Sequence, residues 1–197
     1  MKRPALKLKL AVLCLLPILA FSQPKLPVTN NDLRNALQKV LSDYPNHFSG
    51  IKGEVLHENP QTVEYGTLLE FKTAEENTIT KYISPRSIYS WQAVMLTTEE
   101  YEEARKKYRW LYDQLRVMTV NLDNGYSYSL SGRFEEPAES RKFSGSVFTL
   151  TPASSGHPKV KVEITMQFYF PEWKVGISVY EKEREDSERG PLKEKDI

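Results

Sequence analysis

A strict alternation of apolar and polar residues near the C-terminus constrains the fold more than any other feature of the sequence. From Val160 to Phe170 every second residue is apolar, and the residues between them run Lys-Glu-Thr-Gln-Tyr. Successive side chains of a β-strand point to opposite faces of a sheet, so this pattern predicts a strand with one buried and one solvent-exposed face. Such a strand is typical of an antiparallel sheet that is covered on one side only.

Seven further segments have the composition and spacing of strands. Turn residues such as Asn59-Pro60 and Glu136-Pro137 separate them, and a loop is predicted at 153–158. A sheet of about eight strands is therefore expected. The seven segments are 51–57, 63–71, 77–83, 88–95, 126–134, 141–150 and 173–180.

Two segments instead repeat their apolar residues at helical spacing. The first follows Asn30 or Asn31, either of which can serve as its N-cap, and it ends before Pro45. The second is predicted to begin at Thr97, which forms a capping box with Glu100. The many charged residues of the second helix are interpreted as its solvent-exposed face rather than as a binding patch.

These elements predict one α+β domain over residues 29–180. We expect two layers, with two helices packed on one face of a twisted antiparallel sheet and the opposite face partly open. A helix followed by four strands occurs twice along the chain, which predicts a tandem duplication with repeats at 29–96 and 97–180. The spacing of glycines supports it, because two pairs lie 13 residues apart, Gly53 with Gly66 and Gly132 with Gly145.

The N-terminus has the order of a secretory signal peptide, predicted over residues 1–22. Four basic residues precede an apolar run from Leu10 to Phe21, and Ser22 supplies a small residue at the expected cleavage site. The run is too short to span a bilayer as a helix, so no transmembrane anchor is expected after cleavage. A Pro-containing linker at 23–28 follows. The protein is therefore expected to be exported to the periplasm or the extracellular space.

Cleavage would change both the charge and the chemistry of the chain. The mature chain would keep 23 Lys and Arg against 26 Asp and Glu, a formal charge of −3 instead of +1. A mildly acidic chain lacks the basic surface that binds nucleic acid. The single cysteine, Cys14, lies in the predicted signal peptide. The last segment, 181–197, has 12 charged residues among 17 and is expected to be a disordered tail.

The sequence holds no recognisable catalytic, cofactor or metal motif. His47, His57 and His157 are isolated from one another, and no G-x-S-x-G elbow or glycine-rich phosphate loop occurs. The sequence therefore predicts no catalytic residues, no cofactor-binding residues and no metal ligands. A hydrolase that uses paired carboxylates stays open, because the many Asp and Glu residues select no particular pair.

The best candidate for a binding surface is the polar face of the last two strands. Exposed tyrosines often anchor protein partners, and two tyrosines are predicted to share this face with lysines and a glutamine. Trp91 and Trp173 are expected in the core instead. We therefore expect a non-catalytic protein that binds a protein or another envelope component, and the alternative is a carrier of a small ligand or glycan. The candidate partner-binding residues are Lys161, Gln167, Tyr169, Lys174 and Tyr180.

Overall fold

The structure, a computed structural model, describes residues 30–83, 88–122, 125–152 and 160–181. The predicted signal peptide, the linker, the 153–158 loop and the tail after Glu181 lie outside these residues. None of the helices in the described ranges is long and apolar enough to cross a membrane. The elements in chain order are α1 (Asn31–Asp43), a 3-10 helix (Tyr44–Asn46), β1 (Lys52–Glu58), β2 (Thr62–Thr67), β3 (Glu76–Tyr82), β4 (Ile88–Thr98), α2 (Tyr101–Arg116), β5 (Thr119–Asn121), β6 (Ser127–Gly132), β7 (Phe143–Thr151), β8 (Lys161–Tyr169) and β9 (Glu172–Tyr180).

The strands form one antiparallel sheet in the order β1-β2-β3-β4-β9-β8-β7-β6-β5. The α+β class is therefore confirmed, but the sheet has nine strands instead of about eight. The strand missing from the prediction is β5, whose three residues are too few for an alternating pattern to appear. The last strands of the two halves, β4 and β9, pair at the centre of the sheet. The predicted duplication stays a prediction.

Both helices contribute to a single apolar core on one face of the sheet. Trp91 of β4 lies opposite Val179 of β9, and Ile177 lies opposite Ile164 of β8, and all four side chains are buried in that core. The helix α2 lies against β4, β6, β8 and β9. The apolar side of α1 joins the same core. As predicted, Trp91 and Trp173 are core residues.

The N-terminus of α1 begins where the sequence predicts, whereas the N-terminus of α2 does not. Asn30 caps α1 as predicted, and its side chain accepts hydrogen bonds from the backbone N–H groups of Asp32 and Leu33. The capping box predicted at Thr97 is wrong, because Thr97 and Thr98 still pair with β9. Their backbone is committed to the sheet, so α2 begins only at Tyr101.

The two edges of the sheet differ in how their backbone is covered. At the β5 edge, Gln38 of α1 binds the backbone of Asn121 twice, since its Oε1 accepts from the N–H at 2.7 Å and its Nε2 donates to the C=O. This side chain satisfies backbone groups that an edge strand otherwise presents to solvent. The β1 edge is formed by a seven-residue strand that has β2 as its one described neighbour.

Candidate functional site

The face of the sheet opposite the helices carries a groove over its three central strands, β4, β9 and β8. Its volume is about 160 Å³. It is lined by Gln92, Ala93, Val94, Thr165, Gln167, Tyr169, Lys174, Val175, Gly176, Ile177 and Ser178. The groove therefore lies at the middle of the sheet, where the two halves of the chain meet.

The floor of the groove is open because β9 has a glycine at its centre. Gly176 lies opposite Val94 of β4 and Thr165 of β8. A Cβ atom at this position would lie 3.0 Å from the carbonyl oxygen of Ala93, which is tighter than almost all real contacts. A glycine inside a strand often marks a place where another group approaches the backbone. Here it leaves space between the side chains of the neighbouring strands.

The walls of the groove combine polar and apolar surface, and Lys174 is the one charged residue among those that line it. Lys174 is exposed and lies opposite Gln167 across the β8–β9 pair. On the same strand Ser178 is buried, and its hydroxyl has no hydrogen-bond partner among the described residues. Buried polar groups usually have such a partner. The groove thus offers one exposed cation to a bound group, while the Ser178 hydroxyl lies buried beneath its floor.

Beyond Ser178 the same face becomes a buried polar cluster around Glu163. The hydroxyl of Tyr180 donates a hydrogen bond to Glu163 Oε2 at 2.8 Å, and each of the two residues is only 2% exposed. Gly145 provides space for the carboxylate, because a Cβ there would lie 2.9 Å from Glu163 Oε1. The expectation that Tyr180 is exposed on this face is therefore wrong. Its side chain is buried, and its hydroxyl is bound to Glu163.

At the other end of the groove, the turn between β8 and β9 presents aromatic side chains to solvent. We call residues 169–172 the hairpin tip. Tyr169 is 50% exposed and Phe170 is 90% exposed. The alternation predicted Phe170 as a buried strand residue, but β8 ends at Tyr169 and Phe170 lies in the turn. Behind the tip, Phe168 packs on Trp173 with ring centres 5.0 Å apart and meets the Phe170 ring edge-on at 6.3 Å.

The candidate partner-binding residues all lie on this face, but they divide into two groups. Gln167, Tyr169 and Lys174 line the groove. Lys161 and Tyr180 lie opposite each other at the far end of the β8–β9 pair, away from the hairpin tip. Sequence reasoning missed Gly176 and Phe170. A glycine within an otherwise regular strand was the signal that could have located the groove.

The described residues include no group of three or more His, Cys, Asp or Glu side chains that could hold a metal ion. Comparison of the chain with known protein families, with curated proteins and with solved structures found no match.

Proposed function

We propose that the chain is an exported, non-catalytic binding protein that holds a protein partner on the groove and the hairpin tip. The observation that carries this proposal is that Phe170, 90% exposed, directly follows Tyr169, a half-exposed side chain that lines the groove together with Lys174. Large aromatic side chains are enriched in protein interfaces and contribute much of the binding energy there. An aromatic anchor next to a polar pocket is a typical arrangement for such a surface.

The size and charge of the groove favour a side chain of the partner as its occupant. Pockets that bind whole small molecules usually have about 300–1,000 Å³. The groove has about 160 Å³. An acidic side chain entering it would meet the exposed ammonium group of Lys174, and the two opposite charges would attract each other. We therefore propose a partner that presents an Asp or Glu next to an apolar contact for Phe170.

The alternative functions have less support on this face. A carrier of a small ligand or glycan would need a larger pocket than the one over Gly176. A hydrolase of the paired-carboxylate type would need two carboxylates facing each other. The residues that line the described groove include no Asp or Glu.

A photo-crosslinking experiment tests the proposed surface. Phe170 is replaced with a photoreactive phenylalanine analogue, and the chain is irradiated in the cells that produce it. We expect a discrete protein adduct from this position. A second chain also carries Lys174→Glu, which places a negative charge where the acidic partner group would bind. We expect this change to lower the adduct yield about tenfold or more, because close charge pairs at interfaces carry several kcal/mol of coupling.

Two controls make the result specific. The same analogue at Tyr126, an exposed position in the turn before β6, tests for non-specific capture. Lys39→Glu makes the same charge change on the exposed side of α1. The proposal is wrong if position 170 yields no more adduct than position 126, or if Lys174→Glu and Lys39→Glu give equal yields.

Export is a separate part of the proposal and has its own test. It rests on the charged, apolar and small-residue order of residues 1–22. We expect the protein in the periplasmic or extracellular fraction, with a mature N-terminus at Gln23. Fractionation followed by N-terminal sequencing checks this. An uncleaved N-terminus on chains found inside the cytoplasm would contradict it.

We also propose that the two halves descend from one duplicated unit. The support is that the paired glycines fall on corresponding strands, Gly53 and Gly66 on β1 and β2, and Gly132 and Gly145 on β6 and β7. Superposing α1 to β4 on α2 to β9 checks the proposal. Corresponding strands are expected to turn their core residues to the same face, and opposite faces would contradict a duplication.

A further inference from the structure

The β1 edge exposes apolar side chains along a strand whose outer side pairs with no other described strand. Five of its seven residues are exposed, including Val55 at 54% and Leu56 at 60%. Among the described strands, only β2 pairs with it. An exposed apolar edge strand is a template for pairing with another chain, and soluble proteins normally cover or block such an edge.

The residues of β1 are arranged symmetrically about Val55. Lys52 lies three residues before it and Glu58 three residues after it. Val55 and Glu58 lie opposite Tyr65 and Val63 of β2, and the Lys52 ammonium group lies 5.0 Å from the centre of the Tyr65 ring. All three side chains therefore lie toward the same, helix-bearing face of the sheet. The irregularities in the β1–β2 pairing also fall on both sides of Val55.

We propose that two copies of this chain pair through their β1 edges, antiparallel and centred on Val55. In that register Lys52 of each copy lies opposite Glu58 of the other, on the same face of the sheet. Neither side chain takes part in an ion pair within the described part of the chain. Opposite charges directly across two strands stabilise their pairing, and like charges destabilise it. The edge is thus complementary to a second copy of itself.

The opposite edge of the sheet explains why this pairing stops at two copies. A two-fold contact uses the same surface on both chains and closes on itself. Further growth would need the β5 edge, which is three residues long and has its Asn121 backbone bound by Gln38. We therefore expect a dimer with a continuous sheet and no larger assembly.

Sedimentation velocity tests the proposed dimer with a charge-exchange design. For the purified chain we expect a monomer–dimer equilibrium at concentrations from about 1 µM to about 100 µM. Lys52→Glu and Glu58→Lys each place like charges opposite one another in both symmetry-related pairs, and each is expected to weaken dimerisation about tenfold or more. In an equal mixture of the two variants, every pair across the contact again has opposite charges. The mixture is expected to recover the dimer.

Controls and the contradicting results follow from the same design. Lys39→Glu makes the same charge change away from the edge and is expected to leave the equilibrium unchanged. Glu58→Lys leaves the contact of Lys52 with Tyr65 intact, so it separates edge pairing from loss of that contact. A chain that stays monomeric over the whole range, or a mixture no more dimeric than its components, would overturn the proposal. The groove is separated from β1 by β2 and β3, so adduct formation at position 170 is expected to persist in Lys52→Glu.

Discussion

The two faces of the central strands are made from alternating residues of the same segments, yet they differ in almost every physical property. On β9, Val175, Ile177 and Val179 are fully buried against the helices. Between them, Gly176 and Ser178 form part of the groove on the other face. One face therefore carries the apolar burial that stabilises the fold. The other carries small and polar groups that line the groove, so neighbouring residues are expected to tolerate substitution very differently.

The largest difference is expected between Trp91 and Gln92, which are adjacent on β4 but face opposite ways. Trp91→Ala removes a fully buried ring from the core and is expected to lower the free energy of unfolding by about 3–5 kcal/mol. Gln92→Ala removes a half-buried polar side chain from the groove and is expected to change it by no more than about 0.5 kcal/mol. Urea unfolding of both variants measures this. Equal losses of unfolding free energy in the two variants would show that both faces contribute alike to stability.

The next effect concerns Glu163 and Tyr180, which lie on the groove-bearing face of the sheet but are buried. Tyr180→Phe removes the hydroxyl that donates to the buried carboxylate of Glu163. Leaving a buried acceptor without this donor is expected to cost about 1–3 kcal/mol. Tyr169→Phe, on the same face but half exposed, is the matched control and is expected to cost nothing measurable. If both substitutions leave the free energy of unfolding unchanged, the hydrogen bond between Tyr180 and Glu163 contributes no stability.

A smaller effect is expected at the floor of the groove. Gly176→Ala places a Cβ 3.0 Å from the Ala93 carbonyl oxygen and is expected to cost about 1 kcal/mol. It also fills the floor, so the adduct yield at position 170 is expected to fall. Gly66→Ala is the control, since its nearest atom would be 3.7 Å away, on the Leu56 side chain. Unchanged adduct yield in a folded Gly176→Ala chain would show that the floor does not receive the partner.

The smallest effect is expected at Glu136, which belongs to neither face. Hydrogen bonds from Arg105 and Arg109 of α2 hold the pKa of this carboxyl below its usual value of 4.5. A carboxyl with a lowered folded-state pKa stabilises the fold above its unfolded-state pKa, and this contribution is lost as the pH falls through the folded-state pKa. Glu136→Gln is therefore expected to lower Tm slightly at neutral pH and not in strong acid. A deficit that grows in acid would contradict this sign.

The sequence predicts the helix face far better than the open face. The buried positions of α1 and of β8 follow directly from their periodicity, because periodicity reports which side of an element is apolar. It does not report how neighbouring strands cover one another. The alternation assigns Tyr180 to the polar face but does not show its burial beside Glu163, and it continues to Phe170 although the strand ends at Tyr169. The groove depends on Gly176 meeting Val94 and Thr165, a register between strands from both halves of the chain that no local pattern contains.

The pairing of β4 with β9 also determines when this sheet can be completed. Its partners, from Ser90 with Tyr180 to Thr98 with Trp173, are 75 to 90 residues apart along the chain. Contacts between such distant residues form slowly, because the loop between them must close before they stabilise anything. The central pair of strands therefore cannot form completely until the chain has been synthesised to Tyr180, almost the last described residue. If the chain crosses a membrane with its N-terminus first, nearly all of both halves must have crossed before β4 can pair with β9.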